Sequence, residues 1–175
     1  MPPLLDQFLE LVNPRGTVVD LGCGAGRDLA HLAEAGLDAR GYDLSSALAG
    51  IAGRRSNAAV FVVDMRMLEF APASLDGVIA ISSLLHLARV ELQDQLAKIA
   101  TWLRPAGLFL ATMKIGVGRE CDSEGRSFTL IQPDDWWRDL NRVGFERVAE
   151  SQSSAAIDVS SSNHQWIATL ARKSA

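Results

Sequence analysis

The sequence predicts an α/β fold: a mostly parallel, seven-stranded sheet covered by helices on both faces, with an antiparallel strand at one edge. Three observations predict it. A β-branched run, Thr17–Leu21, leads into a glycine turn, Gly22-Cys23-Gly24-Ala25-Gly26, which opens directly into a helical segment. Apolar runs of strand length then alternate with segments of helical period, the pattern of a parallel sheet with crossover helices. The last two apolar runs have no helix between them, so they pair antiparallel.

The elements follow in order. Leu4, Leu5, Phe8, Leu9 and Val12 repeat at helical spacing and place an N-terminal helix within residues 1–13, stopped by Asn13-Pro14-Arg15-Gly16. Thr17–Leu21 is the first strand. Leu29, Leu32 and Ala33 mark the helix after the glycine turn, and Gly36 ends it. Ala39–Asp43 is the second strand. Ser45 or Ser46 caps a helix running to about Gly53. Ala59–Val63 and Leu75–Ile81 are the third and fourth strands. Leu92, Leu96, Ile99 and Leu103 define a long helix, and Pro105-Ala106-Gly107 turns into a fifth strand, Leu108–Ile115. Residues 116–132 are glycine-rich and charged and read as an excursion turning at Asp122–Gly125. Pro133 with Asp134-Asp135 opens a helix ending near Gly144, with Trp136, Leu140 and Val143 as its core stripe. Phe145–Glu150 and Trp166–Ala171 complete the sheet. Six serines between 151 and 162 predict a polar, mobile connection.

Composition narrows the function. The 175 residues hold one domain, and 48% hydrophobic content is ample for one core. Seventeen basic residues against 21 acidic ones argue against a nucleic-acid surface, and Arg54-Arg55 and Arg142/Arg147 are too sparse to form a basic patch. The two cysteines, Cys23 and Cys121, make neither a disulfide framework nor a metal-ligand spacing, so no metal is expected. A signal peptide and any apolar run of 18 residues are lacking, which predicts a cytoplasmic protein without membrane contact, monomeric or homodimeric.

The glycine turn is the most informative motif. Its spacing departs from the dinucleotide fingerprint G-x-G-x-x-G, whose third glycine falls here on Arg27. Asp20-Leu21-Gly22-Cys23-Gly24-Ala25-Gly26 resembles instead motif I of the class I S-adenosylmethionine-dependent methyltransferases, and the resemblance spans roughly residues 15–150. It implies a Rossmann-like methyltransferase sandwich with S-adenosyl-L-methionine as cofactor. Asp20, Gly22, Cys23, Gly24, Gly26 and Arg27 then belong to the cofactor loop. Gly41-Tyr42-Asp43-Leu44-Ser45 is similar to the second-strand motif, in which Asp43 accepts from the ribose hydroxyls beside Leu44. A carboxylate suits two vicinal hydroxyls because it only accepts and can take both. Val63-Asp64-Met65 resembles the adenine turn, with Asp64 on the exocyclic amine and Met65 framing the ring. Asp76–Ser82 resembles the fourth strand, whose end at Ser82 faces the methionine moiety. Leu103-Arg104-Pro105-Ala106-Gly107-Leu108 is similar to the turn into the fifth strand but has Ala106 where a second glycine is common. Independently of any family, ligands of open α/β sheets bind beyond the carboxyl ends of strands, where Asp20, Asp43, Asp64 and Ser82 all fall.

Within that family the chain resembles small bacterial methyltransferases that carry Gly-Arg-Asp, Ser-Leu-Leu-His-Leu, Lys-x-Gly and Gly-Arg-x-Phe segments. Here these are Gly26-Arg27-Asp28, Ser83–Leu87, Lys114-Ile115-Gly116 and Gly125-Arg126-Ser127-Phe128. The resemblance implies methyl transfer and names no acceptor. A small molecule methylated on oxygen, nitrogen or sulfur is expected, against transfer RNA, a protein side chain, or a non-catalytic cofactor-binding role. His86 is the expected general base, or else a residue that caps and packs a helix start. Lys114 holds an anionic acceptor or snorkels at the surface. Arg126 clamps a carboxylate or is a solvated loop charge. Trp137 lines the acceptor pocket or belongs to the core. His31 and His164 are read as surface positions, and Trp102 and Trp166 as core. A cover for the acceptor must come from residues 4–12, from residues 116–132 as the expected lid, or from a second subunit.

Overall fold

The structure, a computed structural model, describes residues 3–153 and 165–174. Most of the serine-rich connection, and His164, lie outside the described residues. The elements are α1 (Pro3–Leu11), β1 (Thr17–Leu21), α2 (Arg27–Glu34), β2 (Asp38–Asp43), α3 (Ser46–Ser56), β3 (Ala59–Val62), β4 (Leu75–Ala80), α4 (Arg89–Trp102), β5 (Leu103–Ile115), β6 (Arg119–Cys121), β7 (Ser127–Ile131), α5 (Pro133–Arg142), β8 (Phe145–Ser153) and β9 (Trp166–Lys173).

The seven expected strands form a sheet in the order β3-β2-β1-β4-β5-β9-β8. Strands β1 to β5 pair parallel, and β9 inserts antiparallel between β5 and β8, leaving β8 at the edge. Nine strands stand among the described residues rather than seven, because residues 116–132 fold into the hairpin β6–β7. Its turn is the expected one: Gly125 adopts φ +78° and its N–H reaches the Asp122 carbonyl at 3.1 Å. The hairpin's place follows from strand lengths. β9 occupies one edge of β5 through Lys114, and β4, on the other, ends opposite Ala111. β7 pairs with Lys114 and Ile115 on the edge that β4 has vacated, so the hairpin rises over the carboxyl end of the sheet.

Alternation along the strands divides the core in two. Val19 and Leu21 of β1 face α4 and α5, with Leu96, Ile99, Trp102, Trp136 and Leu140. Val18 faces α1 and α2, with Leu5, Phe8, Leu29 and Leu32. Helix α1 thus lies on a sheet face and does not cover the acceptor, which removes residues 4–12 as a lid. Ser45 rather than Ser46 caps α3, accepting from the Leu48 N–H at 3.3 Å. That helix continues through Gly53 to Ser56, because Asn57 provides the left-handed stop at φ 53°. At the other end of the sheet the buried Asp76 takes the Asn13 amide at 2.7 Å, the Thr17 N–H at 2.8 Å and the Arg104 guanidinium at 2.7 Å. Burial alone would push this carboxyl up, but the three donors hold it below the usual range.

Ala106, which replaces the expected second glycine, adopts φ +65°. A side chain there is strained, since the left-handed region costs a non-glycine residue about 1–2 kcal/mol, partly offset by glycine's greater entropy in the unfolded chain. Ala106→Gly is therefore expected to raise unfolding free energy by roughly 0.5–1 kcal/mol in urea titrations. A decrease would contradict the left-handed turn.

Candidate active site

The carboxyl ends of β1, β2, β4 and β5 open into one cleft with two compartments. One, about 410 Å³, is lined by Tyr42, Asp43, Leu44, Asp64, Met65 and Arg66. The other, about 510 Å³, is bounded by Asp20, Arg27, Lys114, Glu120, Phe128 and Trp166. Gly22, Gly24, Leu48, Ser82 and His86 border both. Every cofactor residue expected from the sequence except Gly26 lines one compartment or the other, and Gly26 shapes the loop from beneath.

Two glycines in the loop have different reasons. Gly26, at φ +77°, is the N-cap of α2, and a Cβ there would sit 2.7 Å from the Ala52 Cα, so glycine lets α2 pack on α3. Gly24, at φ +54°, has nothing within 4 Å of where its Cβ would be. Its missing side chain leaves backbone open to the cleft. The loop is tied to β2 by Asp43, whose Oδ2 accepts the Gly24 N–H at 2.8 Å while Oδ1 accepts the Ser45 N–H at 2.8 Å. One lone pair on each oxygen is thereby used, and the others remain for a ligand.

Asp20 is the electrostatic singularity of the site. It is 3% exposed, and its carboxylate has no hydrogen bond or ion pair among the described residues. Burial, then the nearby Asp28 and Asp43, push its pKa well above the usual carboxylate range. Arg27 offsets this only in small part, being engaged bidentately with Asp28 at 3.0 and 2.8 Å. Such a carboxylate calls for a cation. Cys23 is made inert by the same surroundings: burial first, then Asp20 and Asp43, push its thiol up to about 12.

At the other wall, His86 ends a short 3-10 turn, Leu84–His86, beyond β4. The bend is set by Ser82, at φ +54°, whose N–H reaches the Thr112 hydroxyl at 2.8 Å. The His86 Nδ1 lies 3.1 Å from the Ser127 carbonyl. A carbonyl only accepts, so Nδ1 carries the proton and Nε2 is left with a free lone pair. His86 is solvent-exposed as a residue, but desolvation of its ring beside the hairpin lowers its pKa, the Ser127 carbonyl opposes this, and Arg126 and Lys114 lower it further. The imidazole is therefore neutral at physiological pH.

Lys114 is no snorkelling surface residue. It is 3% exposed, pairs with Glu120 at 3.0 Å and lies 3.7 Å from the centre of the Phe128 ring. Arg126 lines the same compartment, with Nε on Asp122 at 2.7 Å. Trp137 is a correction: it lies apart from the cleft, buried in the α4–α5 core, with its indole N–H on Glu150 and the Arg147 guanidinium 4.3 Å from its ring. The helix aims it at β8, because α5 packs along that strand and not beyond the strand ends. Arg66 escaped the sequence reading. It grips Asp64 and reaches Glu91 at 2.7 Å, a contact formed across 25 residues that no local pattern announces. Glu120 escaped it for the same reason, and Trp166, expected only in the core, also borders the cleft.

A family model described as a methyltransferase domain matches residues 18–107, just over half the chain. The chain belongs to this family. It is a class I S-adenosylmethionine-dependent methyltransferase. Solved structures carry the same fold at low identity. An S-adenosylmethionine-dependent methyltransferase from Methanosarcina mazei superposes with a TM-score of 0.81 at 14% identity, over 99% of this chain and 98% of that one. The 1,6-didemethyltoxoflavin N1-methyltransferase of Burkholderia thailandensis, solved with its substrate and S-adenosylhomocysteine, gives 0.77 at 20% identity, over 99% and 79%. A phosphoethanolamine N-methyltransferase of Haemonchus contortus gives 0.75 at 18% identity, over 97% of this chain and 53% of that one. No curated protein matches the chain by sequence. Among the described residues no helix is long and apolar enough to cross a membrane.

The methyltransferase cleft fits this cofactor chemically. S-adenosylmethionine carries two cationic centres, and the buried Asp20, without an ion pair among the described residues, is complementary to one. The cradle at Gly24 admits a ligand against backbone. Gly24→Ala is expected to fold and to weaken S-adenosylhomocysteine binding in calorimetry, whereas Gly26→Ala should lose stability because of its clash with Ala52. Equal stability losses for the two would refute the distinction. Asp20→Asn tests the buried charge. Its folded-state pKa lies above the unfolded one, so the cost is absent below the ordinary carboxylate pKa and grows as pH rises from there to the raised folded-state pKa. Asp20→Asn should therefore stabilise the free protein at pH 7 but not in acid, as urea curves at both pH values would show, and should weaken cofactor binding.

Proposed function

We propose that this methyltransferase transfers the methyl group of S-adenosylmethionine to an oxygen, nitrogen or sulfur atom of a small-molecule acceptor, with residues 116–132 as the lid. The observation that carries the reading is the roofed compartment of about 510 Å³ next to the glycine loop. A space of that size is typical of small-ligand sites, and part of it is needed for the methionine end of the cofactor. Its walls include the buried Lys114 of β5 and the buried Phe128 of the hairpin. Two structural relatives are methyltransferases named for small-molecule substrates, which supports the same class.

In this reading Asp43, with Leu44, binds the ribose through its remaining lone pairs. Asp64 and Met65 bound the adenine, with Arg66 steering the Asp64 carboxylate. Asp20 and the loop from Gly22 to Arg27 hold the methionine end, and Ser82 borders the reacting centre. Bound S-adenosylmethionine supplies a sulfonium-activated methyl group. The protein's task is alignment and exclusion of water. His86, neutral and with Nε2 unprotonated, accepts the acceptor's proton where one must leave. Lys114 and Arg126 present positive charge to acceptor oxygens, while Glu120 and Asp122 keep the compartment near charge balance. The protein acts in the cytoplasm, in keeping with two free cysteines.

His86→Ala is expected to lower turnover by roughly 10²–10⁴-fold with cofactor affinity near wild type. The wild-type rate should fall only as pH drops below the ordinary histidine range, since the His86 pKa is lowered. Unchanged turnover on a true acceptor would remove the base. Transfer of labelled methyl groups to metabolite pools, compared with total RNA and protein, tests the acceptor class. Label confined to RNA or protein would overturn the small-molecule reading.

A further inference from the structure

Among the described residues nothing packs on the outer edge of β3, the last strand in the sheet order. Exposed apolar side chains gather around that edge. Leu44 and Leu48 border the cofactor compartment and are accounted for by it. Ile51 of α3, Phe61 and Val62 of β3, and Met67 in the turn that follows remain, between 43% and 75% exposed, with no such explanation. Strand edges are ordinarily blunted by a charge, a proline or a bulge. Ala59-Val60-Phe61-Val62 has none of these and pairs with β2 in unbroken register.

We propose that this edge is a dimer interface, with β3 of a second copy of the chain pairing antiparallel across a two-fold axis at Phe61. Backbone geometry favours a copy of itself. The Val63 N–H donates to the Asp43 carbonyl, so Val63 and, two residues back, Phe61 turn their peptide groups towards β2. Val60 and Val62 therefore turn theirs outwards. An axis at Phe61 sets Val60 of each copy opposite Val62 of the other and pairs all the outward N–H and C=O groups of both residues. The two Phe61 residues then face each other as a non-hydrogen-bonded pair, with Cα atoms about 4.5 Å apart. Their rings extend the stack that Phe61 already makes with Tyr42 at 5.3 Å.

Charge selects the same arrangement. At the start of β3 stand Arg54 and Arg55, in the last turn of α3, with Arg40 paired to Asp38. At its end stand Asp43, Asp64 and Glu91, with Arg66 among them. One end is cationic and the other anionic, so antiparallel pairing brings opposite signs together at both ends, while a parallel copy would bring like signs together. The interface lies outside the methyl-transfer compartment, so it stands or falls independently of the acceptor.

Sedimentation of the full chain over a concentration series tests it. The expected result is a reversible dimer that salt weakens and that Val62→Lys converts to monomer while S-adenosylhomocysteine binding persists. Should Val62→Lys fail to fold by circular dichroism, Ile51→Lys on α3 carries the same test. Phe61→Cys in a Cys121→Ser background should form a disulfide-linked dimer under mild oxidation. A chain that stays monomeric at every concentration, or a dimer that neither lysine variant weakens, would overturn the proposal. So would a monomer that uses this edge to bind lipid vesicles.

Discussion

The Asp43 carboxylate is the constraint on which the site depends. It accepts a backbone N–H from the glycine loop on one oxygen and one from the start of α3 on the other. Three chain segments, none of them stiff at that point, are thereby joined through one rigid planar group at the end of β2. The loop needs this tie because its glycines supply conformational freedom and no side-chain contacts of their own. Beneath it, the close approach of Gly26 to Ala52 locks α2 against α3. A phosphate-binding loop would offer backbone donors alone. Here the same turn sits among the carboxylates of Asp20, Asp28 and Asp43, and burial together with the two neighbouring carboxylates pushes the Asp20 pKa up.

The second organising feature is the hairpin. It exists because β5 outruns β4 and leaves a strand edge open above the cleft. Its attachment is polar and internal. Lys114 reaches Glu120, the Thr129 hydroxyl donates to the Leu87 carbonyl at 2.6 Å, and His86 donates to the Ser127 carbonyl. Through the last contact the hairpin decides the histidine's tautomer, so the segment that roofs the compartment also sets which nitrogen can take a proton. Burial of the Lys114 cation is tolerable because a carboxylate and an aromatic face both compensate it.

Legibility in the sequence followed how locally each feature is encoded. Strands, helices and the carboxyl-end aspartates could be read, because alternation, helical period and glycine spacing are properties of neighbouring residues. The Asp122–Gly125 turn was legible for the same reason. The hairpin's two strands were not, because β6 is three residues long and is held by β7 and not by its own propensity. Trp137 shows the limit of helical geometry. An angle of about 100° from the core stripe says that a side chain points elsewhere, and only the packing of α5 along β8 says that elsewhere is more core. Arg66 shows the converse, since its contact with Glu91 joins the turn after β3 to the start of α4, segments that periodicity treats as unrelated.

By itself, then, the sequence determined the α/β sandwich, the glycine loop with its strand-end carboxylates, and the methyltransferase family, all of them short-range patterns under strong steric constraint. Tertiary structure alone decided that Asp20 is buried beside two other carboxylates, that Lys114 is buried against Glu120 and Phe128, that the His86 Nδ1 faces the Ser127 carbonyl, and that the outer edge of β3 is open among the described residues. Each of these depends on which distant segments share a dielectric environment or a hydrogen bond, and that is set by the order in which strands line up in the sheet.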